Sequence, residues 1–274
     1  MATVTAGAGD GARRADRLSG TPRAHAVDRW IYVFMAASFI VITLTGFIPD
    51  SLMKIAMVEA GARPPFPLVM HMHAVLMGSF LLLLLAQTTL VATGRNARHV
   101  ALGRAAFILA PALVLVGVLL VPTNYHSVWS SAHAGPPEAQ NAMRAFLPRL
   151  DNIMLLQLRV GLLFPLFLYI GLKARRSDPG LHKRMMILAT AVALGAAIDR
   201  MKWLPTTMPE SPLATDLYIF LAVSPMFAWD LIRNRAVHRA WLIWIGVSLP
   251  AAAIVMGLWD SAWWHQTAPK LMGV

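Results

Sequence analysis

Seven stretches of this chain run almost free of charge over membrane-crossing lengths, with polar residues gathered in short clusters between them. They lie near residues 30–48, 68–92, 103–122, 153–172, 184–204, 215–232 and 240–258. A helix needs about 20 predominantly apolar residues to cross a bilayer. The pattern therefore predicts an all-α integral membrane bundle of seven transmembrane helices. The fifth stretch is the least clean, because MMILATAVALGAAI runs directly into Asp199 and Arg200. Residues 1–29 are expected to form a flexible basic cytoplasmic tail, uncleaved because the first span is too long for a signal-peptide core. Residues 30–258 are the expected transmembrane domain, and 259–274 a periplasmic segment whose Trp259, Trp263 and Trp264 make an interfacial belt.

The polar clusters alternate in composition, and that sets the expected topology. Of the 24 Lys and Arg residues, sixteen fall in the N-terminal tail and in segments 93–104, 173–184 and 233–239. Cytoplasmic loops carry this excess, so the N-terminus is expected inside and the C-terminus in the periplasm of a bacterial inner membrane. Three segments also repeat one another: LVATGRNARHVALG, LKARRSDPGLHKRMM and WDLIRNRAVHRAWL. Each reads as a helix end, a short basic turn, a histidine and the next helix. The architecture is then one leading helix plus three hairpins, with His99, His182 and His238 at matching places.

Composition narrows the chemistry. Hydrophobic residues make up 57% of the chain and charged ones 14%, against about 25% charged in soluble domains. The net charge of +11 is therefore a topology signal here, and nucleic acid is not an expected partner. The bilayer is one partner and a second membrane subunit another. With no cysteine, disulfides, thiolate metal sites, iron–sulfur clusters and covalent haem attachment are excluded.

Ionisable residues inside spans are costly and usually face the bundle interior in pairs. In the expected topology His71 and His73 lie roughly 5 and 8 Å below the outer face, Arg159 about 9 Å, and Asp199 and Arg200 roughly 6–8 Å. That layer predicts an Arg159–Asp199 ion pair. It also predicts an outer-leaflet pocket of His73, Arg159, Asp199 and Arg200 for a haem, a metal ion or a small polar ligand. His71 and His73, two apart on one helix, point roughly 200° away from each other and cannot share one job. Metal-ligand candidates on the outer side are His71, His73, His126, His133 and His265, with His126 and His133 in a long outer loop. No compact ligand motif such as H-E-x-x-H joins them. A haem held by two histidines needs them on different helices at one depth. On the cytoplasmic side His99, His182 and His238 qualify by placement, although the plain reading of all three is interfacial histidines meeting lipid phosphate. The sixteen methionines follow no repeating spacing and read as apolar filler.

The run HMHAVLMGSFLLLLLAQTTLVATGRNARHVALG, with LTGFIPD before it and PGLHKRMMILATAVALGAAIDR after it, resembles a widespread group of uncharacterised bacterial polytopic membrane proteins. The matching positions are Gly46 and Phe47, His71 and His73, Gln87, His99 and Gly103, and His182, Lys183, Arg184 and Met185. The likeness covers roughly residues 28–200 and implies the multi-span fold but no activity. Haem b or a divalent metal in a redox or assembly role is the expected function. The alternatives are an accessory subunit of a membrane complex and a metal-dependent intramembrane hydrolase.

Overall fold

The computed structural model describes Leu18 and residues 25–274, and every regular element among them is helical. The helices are α1 (Ala26–Glu59), α2 (Leu68–Ala92), α3 (Asn96–Gly103), α4 (Ala106–Ala134), α5 (Pro137–Ala174), α6 (Pro179–Ala191), α7 (Gly195–Ile198), α8 (Leu213–Asn234), α9 (Arg239–Leu258) and α10 (Ala262–Leu271). A 3-10 turn at Val192–Leu194 joins α6 to α7. Seven helices are long and apolar enough to cross a membrane: α1, α2, α4, α5, the α6–α7 unit, α8 and α9. Most of the expected tail lies outside the described residues; its last four positions open α1.

The boundaries differ from the sequence expectation where apolar character fades but helical propensity does not. Helix α1 continues through Pro49 for 34 residues, roughly 50 Å against about 30 Å of hydrocarbon. The expected outer loop that carries His126 and His133 is helical on both sides. Helix α4 extends to Ala134, and α5 restarts after Gly135 and Pro136 with Pro137 as its first residue, where a missing N–H costs nothing. The fifth span begins earlier than expected, at Pro179. Asp178 caps it by accepting the Leu181 N–H at 2.9 Å.

That fifth span is also the packing centre. Its most apolar window is 72% buried inside the protein, against 17–33% for the other six. Protein surrounds most of that window. Met185, Ile187 and Leu188 have no exposed surface and share a core with Phe39 of α1, Phe167 of α5 and Trp244 of α9. Gly46 lets α1 lie directly on α7, since a Cβ there would sit 2.1 Å from the Ala197 carbonyl oxygen.

Charged residues pin this centre. Arg184 of α6 is fully buried and donates Nε and Nη2 to the two Asp230 oxygens of α8, each at 2.7 Å. Its Nη1 reaches the Gly180 carbonyl at 2.9 Å. Asp230 also accepts from Trp241 Nε1 of α9 at 2.9 Å and from Asn234 Nδ2 at 2.6 Å. In the first turn of α1, buried Asp28 accepts from Arg233 and Trp229 of α8. At the opposite end Trp264 of α10 is buried against α5, not laid in a belt. Its Nε1 donates to the Asp151 carbonyl at 2.8 Å, whereas Trp263 is exposed.

Asp230→Ala should cost about 3–5 kcal/mol by leaving the Arg184 charge buried and unpaired, and Arg184→Met combined with Asp230→Leu should recover most of it. Thermal denaturation in detergent, read by size exclusion, would show a deep loss for the single variant and a shallow one for the double. Gly46→Ala should separate α1 from α7 and lower stability by about 1–3 kcal/mol in the same assay.

Candidate functional site

The expected outer-leaflet layer exists as residues but is wired differently. Arg159 pairs with Asp216, not Asp199: Nη1–Oδ2 is 2.9 Å and Nη2–Oδ1 is 2.5 Å. Asp199 sits one residue beyond the end of α7 and accepts the Thr215 hydroxyl. Thr215 and Asp216 are neighbours in the first turn of α8, about 100° apart around the helix, so each faces a different partner. Arg200 turns to α1, donating to Asp50 at 3.2 Å and lying over the Phe47 ring at 4.5 Å. The space beside the Arg159–Asp216 pair is about 30 Å³, room for about one water.

The histidines expected on the outer side are dispersed. His71 is exposed and meets the Phe66 ring edge-on, and His73 is half-buried with Nδ1 unpartnered. His126 is exposed. His133 lies against Trp129, with ring centroids 4.3 Å apart and Nδ1 bonded to the Trp129 carbonyl. His265 sits between two carboxylates, Nδ1 at 2.9 Å from Asp151 and Nε2 at 3.0 Å from Asp260. Among the described residues no three His, Asp or Glu side chains come together as a metal site.

The large cavity lies at the other end. It holds about 1270 Å³ and is reached by all seven spans. Arg29 and Tyr32 come from the start of α1, Gln87 and Val91 from the end of α2, and Phe107 from the start of α4. Leu172 ends α5, His182 and Lys183 begin α6, Asn234 ends α8 and Arg239 begins α9. The N-terminal end of α1 and the three hairpin turns therefore share one end of the bundle. Along α2 the lining runs from Val91 back to Phe80, roughly 16 Å into the span. Phe80, Leu83, Leu84 and Met186 make its depth apolar; Arg29, Arg104, Arg175, Arg176, Lys183 and Arg239 make its mouth strongly cationic.

Two of the three matching histidines meet here. His99 of α3 and His182 of α6 have ring centroids 6.5 Å apart with planes at 70°. His182 Nδ1 is held by the Gly171 carbonyl at 2.8 Å, so it carries the proton and Nε2 keeps its lone pair. His99 has a buried Nδ1 with no hydrogen-bond partner, and the Gln87 Oε1 in the same cavity lining is equally unpartnered. Burial pushes the His99 pKa below its ordinary value, against the opposing effect of the Gln87 backbone. Gly103 makes room for Gln87, whose Nε2 would lie 3.2 Å from a Cβ at that position. The third histidine, His238, caps α9 by accepting the Ala240 N–H at 3.1 Å. Asp178 binds Arg239 across the mouth.

Sequence reasoning placed His99, His182 and His238 as candidates for haem ligation by position, any two of them able to serve, but read all three first as interfacial and favoured the outer layer. Asp216, Asp230 and Arg184 were missed as structural anchors. The signal was present, since each is a charge within a span and so demands an opposite partner.

The fold defines a multi-pass helical membrane protein. Compared with protein-family models, curated proteins and solved structures, the chain matches none.

The His265 clamp gives a pH dependence. Burial alone lowers its pKa, but hydrogen bonds and charge from Asp151 and Asp260 raise it overall above 6.5. Only the protonated ring can donate from both nitrogens to the two carboxylates. Its contribution to docking α10 is complete below about pH 6.5 and is lost as pH rises through the raised value. Hydrogen exchange of residues 262–271 should quicken above that window, and His265→Gln should flatten the dependence.

Proposed function

We propose that this chain is a bacterial inner-membrane protein that binds an anionic amphipathic small molecule in the cavity shared by its seven helix ends. The single observation that carries the reading is the division of one cavity into an apolar depth and a mouth lined by six cations and one carboxylate, Asp178, which pairs with Arg239. An apolar body gains by leaving water, while a carboxylate or phosphate at the mouth meets guanidinium groups suited to bidentate recognition. The cationic clusters that line the mouth are the same ones that favour an N-terminus in the cytoplasm. The proposed site thus opens in the cytoplasmic leaflet, opposite the outer layer of Arg159 and Asp199.

The test is binding of a fluorescent long-chain fatty acid and of its methyl ester to the detergent-purified protein. The acid should bind at least about tenfold more tightly, equivalent to about 1.4 kcal/mol. Arg104→Glu combined with Arg176→Glu should abolish that preference while leaving ester binding in place. Equal affinities for acid and ester in the wild-type protein would overturn the reading.

A further inference from the structure

Resting on the reading of the cavity as a site for an anionic amphiphile, we propose that its ligand is a b-type haem whose iron is held between His99 and His182. An imidazole nitrogen lies about 2.0–2.1 Å from a bound metal and about 1.2 Å from its own ring centre, so two imidazoles on opposite sides of one metal have centroids roughly 6.4 Å apart. The His99–His182 separation is 6.5 Å. A 70° angle between the planes is compatible with this arrangement, because each ring need only contain its own metal–nitrogen axis.

The ligand count favours the same group. Among the described residues no three His, Asp or Glu side chains come together to hold a metal, and a bare divalent ion bound by protein needs three or four such ligands. A porphyrin supplies four nitrogens of its own and asks the protein for two. The protein's two come from different helices, as axial ligation requires. His182 is oriented as metal-bound histidines are, its Nδ1–H donating to a backbone carbonyl, Gly171 at 2.8 Å. His99 offers a ring whose buried Nδ1 has no hydrogen-bond partner.

The rest of the cavity suits the rest of the group. Phe80, Leu84, Phe107 and Met186 supply apolar wall. Arg104 and Arg176 line the mouth and make no side-chain ion pair with a described residue, which leaves two guanidiniums for two propionates. Because the chain has no cysteine, the group is held by ligation and packing alone.

The experiment is expression with haem synthesis unrestricted, purification in mild detergent, and oxidised and reduced optical spectra with electron paramagnetic resonance and haem quantification. One haem per chain with a six-coordinate low-spin spectrum is expected. His99→Ala and His182→Ala should each convert it to a five-coordinate high-spin species or weaken hemin binding by about tenfold or more. His99→Met and His182→Met, which keep an apolar side chain in place, should fold and shift the spectrum to mixed His/Met ligation. Wild-type spectra in all four variants would overturn the assignment, as would loss of the low-spin signal in His73→Ala alone. Failure to bind hemin while the charged fatty acid still binds preferentially would overturn the haem and leave the cavity reading standing. Failure of both ligands would overturn both.

Discussion

The buried Arg184–Asp230 pair is the interaction on which the rest of this structure depends. It ties the most enclosed helix of the bundle to α8, and through Trp241 to α9, with every guanidinium nitrogen and both carboxylate oxygens hydrogen-bonded. Desolvating two charges costs several kcal/mol each, and only a fully bonded geometry offsets that cost. The pair therefore tolerates one rotation of α6 and one of α8. Lys183 and His182 precede Arg184 on α6, and Asn234 follows Asp230 by one turn, so setting these rotations also aims the residues that line the cavity.

A second constraint acts from the N-terminus. Asp28 binds Arg233 and Trp229 of α8, and α1 lies against α7 at Gly46 with no space for a side chain. The leading helix thus closes the bundle against the central span, and Arg29, next to Asp28, reaches the cavity mouth. The cationic mouth and the packing of the core are consequently one construction. Helices held by buried ion pairs end at a common level, and the basic turns that follow them surround a space that the helix ends leave open.

The other end is built to a different plan. There Arg159 is neutralised by Asp216, Arg200 and Lys54 by Asp50, and His265 by two aspartates. The space at the two ends differs as well: about 30 Å³ beside the Arg159–Asp216 pair against about 1270 Å³ at the basic end, where the proposed ligand site lies.

The number of spans and the clustering of positive charge at alternate turns were determined by sequence alone, because both follow from local composition: a run of apolar residues is membrane-length whatever surrounds it. The repeated basic turns likewise announced three hairpins. Which carboxylate meets which guanidinium was decided only by the tertiary structure. A helix turns about 100° per residue, so Thr215 and Asp216 serve different partners, and Arg159 meets Asp216 although Asp199 lies at a similar depth. The choice between the outer layer and the basic end was tertiary for the same reason. Depth along a span can be counted from sequence, whereas the direction a side chain faces, and the empty volume between helices, depend on how all seven are rotated and packed.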